Sequence, residues 1–189
     1  MTSHEALSRA AALLSPVSCH CHHLPDANQV GHDLDYNLSQ SYVSWAGVPI
    51  GKDGASRRAY LEQVRHKSYF VWLERALQDI YGFEERISPG NWDEISARIR
   101  VANEDPSWHL MLLKEKCRYS SVILDCYWQP GFDDGHPEFF RPSLRIDPFL
   151  WAYAPNKKNR DGTSFAELHR PDLGDLEGLC AYMKESIQA

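Results

Sequence analysis

A chain of 189 residues is long enough to bury one sizeable hydrophobic core, so we expect a single domain spanning 1–189. The net charge of −6 comes without a basic face, which argues against a nucleic-acid partner, and binding to a membrane surface is equally unsupported. Five cysteines without a CxxC pair argue against a zinc ribbon or a thioredoxin-type site. With no secretory leader pattern, these features favour a cytoplasmic protein.

The N-terminal part of the chain predicts a helix, a strand and a long loop. Thr2 and Glu5 have the spacing of a capping box that opens a short helix. The residues that follow predict a buried strand from Pro16 to His22. Residues 24–56 are rich in Pro, Gly, Asn, Asp and Ser and predict a long ordered loop with short helical turns. This loop is either a lid or pocket wall, or a surface excursion held by its own aromatic side chains.

Three helices are predicted next, and together they form a helical insertion over about 57–117. Apolar residues at helical spacing run through 57–81, and Gly82 is a stop signal. Asn91 is the predicted N-cap of a second helix, and a third helix is predicted over 108–117. The side chains expected in the core include Tyr69, Trp72, Trp92, Ile95, Ile99 and Val101.

Two further strands and a last helix complete the predicted order of elements. The β-branched run Ser121–Tyr127 predicts the second strand, and Pro142–Phe149 predicts the third. A final helix is predicted over 172–187. Strands that alternate with helices in this way favour an α/β fold with a parallel sheet.

Polar side chains crowd the carboxyl ends of all three predicted strands. His20 and His22 lie at the end of the first, Asp125 near the end of the second, and Arg145 with Asp147 near the end of the third. In parallel α/β folds, active sites are assembled at that edge of the sheet. Because strand residues alternate between faces, His20 and His22 are expected to point the same way and to bind one metal ion. The alternative is two buried histidines that are hydrogen-bonded to backbone.

The segment 20–25 (HCHHLP) after an apolar strand resembles the amidohydrolase superfamily of metal-dependent enzymes, particularly the His-Cys-His-Leu-Pro form of its uronate isomerase branch. In that branch a helical insertion follows the first strand, and a later strand carries Phe-Arg-Pro-Asp. In this chain the corresponding place is occupied by residues 144–148 (LRIDP). The resemblance implies a partial (β/α)8 TIM barrel with a helical insertion after the first strand. It covers the N-terminal part of such a barrel, so the chain is expected to be a fragment, a truncated gene product or a member that has lost catalysis.

The same resemblance implies a metal-dependent hydrolase that acts on a small carboxylate-bearing substrate, with a uronate isomerase-type sugar acid isomerase as the alternative. The implied cofactor is a divalent metal ion, zinc by preference, held by His20 and His22. Arg145 would grip the substrate carboxylate with its paired donors, or else form a salt bridge to Asp147 or Asp125. Asp125 and Asp147 are weak candidates for catalytic carboxylates, and the general base is not assigned.

A hypothesis from a different class is a non-catalytic α/β module that oligomerises or binds a partner. Three parallel strands leave sheet edges and apolar surface uncovered, which favours association with a second copy. Bound metal and the size of the protein in solution discriminate between the enzyme and the module.

Overall fold

The structure is a computed structural model that describes residues 2–21, 28, 30–126, 131–159, 162–169 and 173–188. The chain divides into two compact units. The sheet unit comprises Met1–Leu24 and Arg118–Ala189, and the helical unit comprises Pro25–Cys117. That the whole chain forms one domain stays a prediction.

Nine helices and three strands are assigned among the described residues. In chain order they are α1 (Ser3–Ala11), β1 (Val17–Cys21), α2 (Leu34–Gln40), α3 (Gly54–Val64), α4 (Ser68–Tyr81), α5 (Trp92–Ala102), α6 (Trp108–Met111), β2 (Ser121–Leu124), β3 (Phe140–Pro142), α7 (Asp147–Leu150), α8 (Phe165–Leu168) and α9 (Leu176–Gln188). A 3-10 helix follows α2 at Tyr42–Ala46, and α6 continues into a π-helical turn at Leu112–Lys116.

The predicted partial (β/α)8 TIM barrel is wrong. The strands form one small parallel sheet in the order β1-β2-β3, within a mixed α/β structure. In the part of the chain that the structure describes, the sheet has no further strand and does not close. A barrel of this class needs about eight strands, whereas the segments after β3 form the short helices α7 and α8.

The third strand lies earlier in the chain than the sequence predicts. It pairs with β2 through Phe140 and ends at Pro142, which has no amide hydrogen to continue the ladder. The second half of the predicted strand is helix α7 instead. Pro148 lies in its first turn, where a fixed φ and a missing N–H suit a helix start.

Strand β1 lies where it is predicted, but it is not buried. Its first residue, Val17, is 51% exposed, and none of its five residues reaches full burial. The register also shifts within it, since Ser18 pairs with Val122 whereas Cys21 pairs with Leu124. Three steps along β1 therefore match two along β2, which is the signature of a bulge.

The predicted helix over 57–81 is two helices, α3 and α4, separated by residues 65–67. Val64 and Phe70 are both buried, one in each helix. On one continuous straight helix, residues six apart point about 120° away from each other, so the buried face would have to be at least that wide. The break lets each helix turn its own apolar face inward, and α4 then ends at Gly82 as predicted, in the left-handed conformation.

The core of the helical unit confirms part of the predicted buried stripe. Trp92, Ile95 and Ile99 of α5 are buried, but Val101 is 63% exposed. Asn91 precedes α5 without capping it, because its side-chain oxygen accepts from the backbone and hydroxyl of Ser88 at 2.8 and 2.9 Å. The core cluster also draws residues from α2, α3 and α4, namely Leu34, Leu38, Tyr60, Leu61, Phe70 and Leu77.

Two of the aromatic residues predicted for the core are on the surface. Tyr69 and Trp72 of α4 are 52% and 72% exposed. The Tyr69 ring contacts the exposed rings of Tyr42 and Trp45, with centroids 5.2 and 6.4 Å away. Tyr42 and Trp45 belong to the segment that is predicted as a long loop, and their rings also contact each other, with centroids 4.5 Å apart. This arrangement fits the alternative in which the segment is a surface excursion held by its own aromatic side chains.

Candidate functional site

The carboxyl ends of β1 and β2 are joined beyond the last residue of β2. The backbone N–H of Asp125 donates to the carbonyl of Cys21 at 2.8 Å. On the other side of β2, the N–H of Ser143 donates to the carbonyl of Leu124 at 2.9 Å. The parallel strands thus bring the segments that follow them to one edge of the sheet, which we call the sheet edge: His20, Cys21, Asp125, Ser143 and Arg145.

Asp125 and Arg145 form the central contact of the sheet edge. The Nε of Arg145 donates to both carboxylate oxygens of Asp125 at 2.9 Å, and its Nη2 lies 2.8 Å from Oδ2. The Asp125 side chain is 9% exposed and that of Arg145 is 29% exposed. Of the two partners left open by the sequence, the structure pairs Arg145 with Asp125. A role for Arg145 in substrate binding stays a prediction.

Asp147 does not take part in this contact. It is an exposed residue in the first turn of α7, where a negative charge interacts favourably with the helix dipole. Asp147 therefore interacts with the start of α7 and not with the Asp125–Arg145 pair. Its role as a weak catalytic candidate stays a prediction.

Of the two histidines predicted to bind a metal ion, only His20 lies within the residues that the structure describes. His20 is an exposed residue of β1, and His22 lies outside the described residues. The bulge between Ser18 and Cys21 interrupts the alternation of faces on which the prediction rests. Among the residues that the structure describes, no three His, Cys, Asp or Glu side chains are grouped to hold a metal ion. That His20 and His22 share one ion stays a prediction.

Another titratable residue of the sheet unit, His169, lies in a cluster of aromatic side chains. The ring of His169, directly after α8, stacks on Phe165 with centroids 4.9 Å apart and lies 4.8 Å from the ring of Phe149. Its Nδ1 lies 3.2 Å from the hydroxyl of Tyr182 in α9. Burial among these rings lowers the pKa of His169, because it disfavours the charged imidazolium. The cluster connects α7, α8 and α9.

Sequence reasoning missed a polar contact inside the helical unit. The indole Nε1 of Trp92 donates to Oδ1 of Asp35 at 2.7 Å. The two residues are 57 positions apart, so no spacing pattern connects them. A buried tryptophan needs an acceptor for its N–H, which is the one signal that could have prompted a search for this partner.

In the described part of the chain, no helix has both the length and the apolar character needed to cross a membrane. The sheet edge, the His169 cluster and the Asp35 contact are the polar arrangements from which a function can be inferred. No protein-family model matches this chain, and no curated protein matches its sequence.

Proposed function

We propose that the sheet edge belongs to a metal-dependent hydrolase that acts on a small carboxylate-bearing substrate, similar to enzymes of the amidohydrolase superfamily. The observation that carries the proposal is the ion pair of the buried Asp125 with the half-buried Arg145 at the carboxyl ends of two parallel strands. Functional side chains gather at this edge in parallel α/β sheets. A sugar acid isomerase that uses the same edge remains the alternative reaction.

Arg145 is the proposed contact for the substrate carboxylate. Asp125 holds its guanidinium through three short contacts, which fixes the plane of the donors at the strand ends. A guanidinium held in this way is oriented before the substrate arrives, so less entropy is lost on binding. In this scheme Asp125 is a positioning residue.

His20 and His22 are the proposed zinc ligands, and the described residues alone do not complete a zinc site. At the sheet edge the described residues supply one imidazole, that of His20, while the carboxylate of Asp125 is engaged by Arg145. Completion of the site depends on His22 and on further donors outside the described residues. A cytoplasmic setting is proposed with this function, since Cys19, Cys117 and Cys180 form no disulfide and reduced thiols are usual in that compartment.

The test is a metal analysis of the purified chain, dialysed without chelator and then with zinc. The proposal predicts about one zinc per chain, lost in both His20→Ala and His22→Ala. His66→Ala is the matched control, because His66 is an exposed histidine of the helical unit. Zinc below about a tenth of stoichiometry in the parent protein, or equal zinc in all four proteins, would overturn the proposal.

A second candidate is a non-catalytic module that forms homo-oligomers. It is favoured by α1 and α9, neither of which buries a residue although both carry apolar side chains, such as Leu7 at 71% and Leu176 at 74% exposure. Large exposed apolar patches mark interaction sites, and these two helices are the proposed contact surfaces of the oligomer. Light scattering with size-exclusion chromatography is expected to give a dimer or larger, and Leu7→Lys to shift it towards monomer. A monomeric parent protein contradicts this candidate.

A further inference from the structure

A cleft with a volume of about 500 Å³ opens within the helical unit. It lies among α2, the 3-10 helix and the segment after it, and α3. Its wall is formed by Asp35, Tyr36, Leu38, Ser39, Val48 and Ile50 together with Tyr60. The cleft therefore combines an aliphatic floor with a carboxylate, hydroxyls and two phenol rings, the mixture that is typical of sites for small molecules.

The hydroxyl of Tyr60 is a buried polar group without a partner. Tyr60 is 2% exposed, and its hydroxyl makes no hydrogen bond. Burial, reinforced by the negative charge of Asp35, raises the pKa of Tyr60 to about 12, so the phenol keeps its proton at neutral pH. Buried donors in native proteins are nearly always paired, so a donor without a partner beside a cleft needs an explanation, and a ligand atom supplies one.

Asp35 supplies the negative charge of the cleft. Its Oδ1 accepts from the indole of Trp92 at 2.7 Å, and in the described part of the chain no cation pairs with its carboxylate. Arg57 lies over the Trp92 ring, 5.2 Å from the ring centroid, but its guanidinium pairs with Asp93 at 2.8 Å. The charge of Asp35 is therefore available to a cationic ligand.

The geometry points to a binding site for a small organic cation, an amino alcohol with an apolar body. Its ammonium group donates to the carboxylate of Asp35, and its hydroxyl oxygen accepts from the hydroxyl of Tyr60. Its apolar body lies against Leu38, Val48 and Ile50 of the floor. This site uses none of the residues of the sheet edge, so it does not depend on the proposed hydrolase.

The probe is 2-amino-1-phenylethanol, titrated into the full chain by calorimetry. The comparator is 1-phenylethane-1,2-diol, which has the same size and replaces the ammonium by a hydroxyl. The amine is expected to bind with a dissociation constant below about 1 mM and about tenfold more tightly than the diol, because only the amine forms a charge-assisted hydrogen bond. Equal affinity for the two probes, or no binding of the amine, overturns the proposal without any variant.

Two variants test the roles of the polar groups. Asp35→Asn keeps an oxygen acceptor for Trp92 and is expected to weaken the amine about tenfold, while the diol is unaffected. Tyr60→Phe keeps the ring in the core and is expected to weaken both probes. The matched controls are Glu62→Gln, an exposed acid of α3, and Tyr69→Phe, an exposed phenol of α4, which leave both affinities unchanged. Unchanged amine affinity in Asp35→Asn overturns the assignment of the cation to this carboxylate.

Discussion

Replacing Arg145 with methionine tests how much the sheet edge depends on its ion pair. Methionine keeps the apolar stem of the side chain and removes the guanidinium that contacts both oxygens of Asp125. Removal of one partner from a buried pair costs about 3–5 kcal/mol. The Arg145 side chain is 29% exposed, so water replaces part of the lost interaction, and we expect a cost of about 2–3 kcal/mol.

Hydrogen exchange of the amides around β2 measures this loss in the sheet unit itself. The N–H of Val122 is bonded to Phe139 and that of Asp125 to Cys21, at 2.9 and 2.8 Å. A cost of about 2 kcal/mol corresponds to exchange about 30-fold faster when opening is at equilibrium. Arg9→Met, at an exposed arginine of α1, is the control. If Arg145→Met exchanges at the control's rate, the pair contributes nothing and the argument for a preorganised guanidinium fails.

Three further predictions concern stability away from the sheet edge. Glu74→Ala removes the acceptor of the buried Ile87 N–H, bonded at 2.8 Å, and should lower Tm by about 4–8 °C in calorimetry; an unchanged Tm contradicts this. Gly82→Ala forces a side chain into the left-handed region at φ +70 and should cost about 1 kcal/mol in urea unfolding, whereas Gly90→Ala, without a positive φ, should cost little. The pKa of His169 is lower in the folded than in the unfolded chain, so as pH falls below about 6.5 the unfolded chain is protonated first and the free energy of unfolding decreases. His169→Gln should flatten this part of the curve of stability against pH. An unchanged slope in the variant refutes the assignment to His169.

Local features of the fold could be predicted from the sequence because short-range chemistry sets them. Thr2 and Glu5 form the predicted capping box, with the Thr2 N–H donating to the Glu5 carboxylate at 2.7 Å. Gly82 ends α4, since a left-handed residue without a side chain closes the last turn. The second strand begins at Ser121 as predicted, but it ends at Leu124, so that Asp125 follows the strand instead of lying within it.

The remaining features depend on contacts that the sequence pattern does not encode. Helical spacing through 57–81 is compatible with one helix, and nothing in that spacing indicates the break before α4. Tertiary packing also decides which side of α4 faces the core, so the spacing alone did not predict that Tyr69 and Trp72 are exposed. The bulge in β1 is likewise invisible in the sequence, yet it decides whether the alternation rule applies to His20. The barrel prediction failed because it came from the resemblance of 20–25 and 144–148 to a family and not from strand pairing in this chain.

The pairing of β1 with β2 also has a consequence for synthesis on the ribosome. Val17 lies opposite Ser121, about 100 residues later in the chain, with the whole helical unit between them in sequence. At elongation rates of about 5–20 residues per second, the first strand is made about 5–20 s before its partner exists. During that time the backbone donors and acceptors of this nascent segment, which carries two cysteines, have no strand to pair with. This interval is the period in which the unpaired edge of the segment is available to pair with another chain.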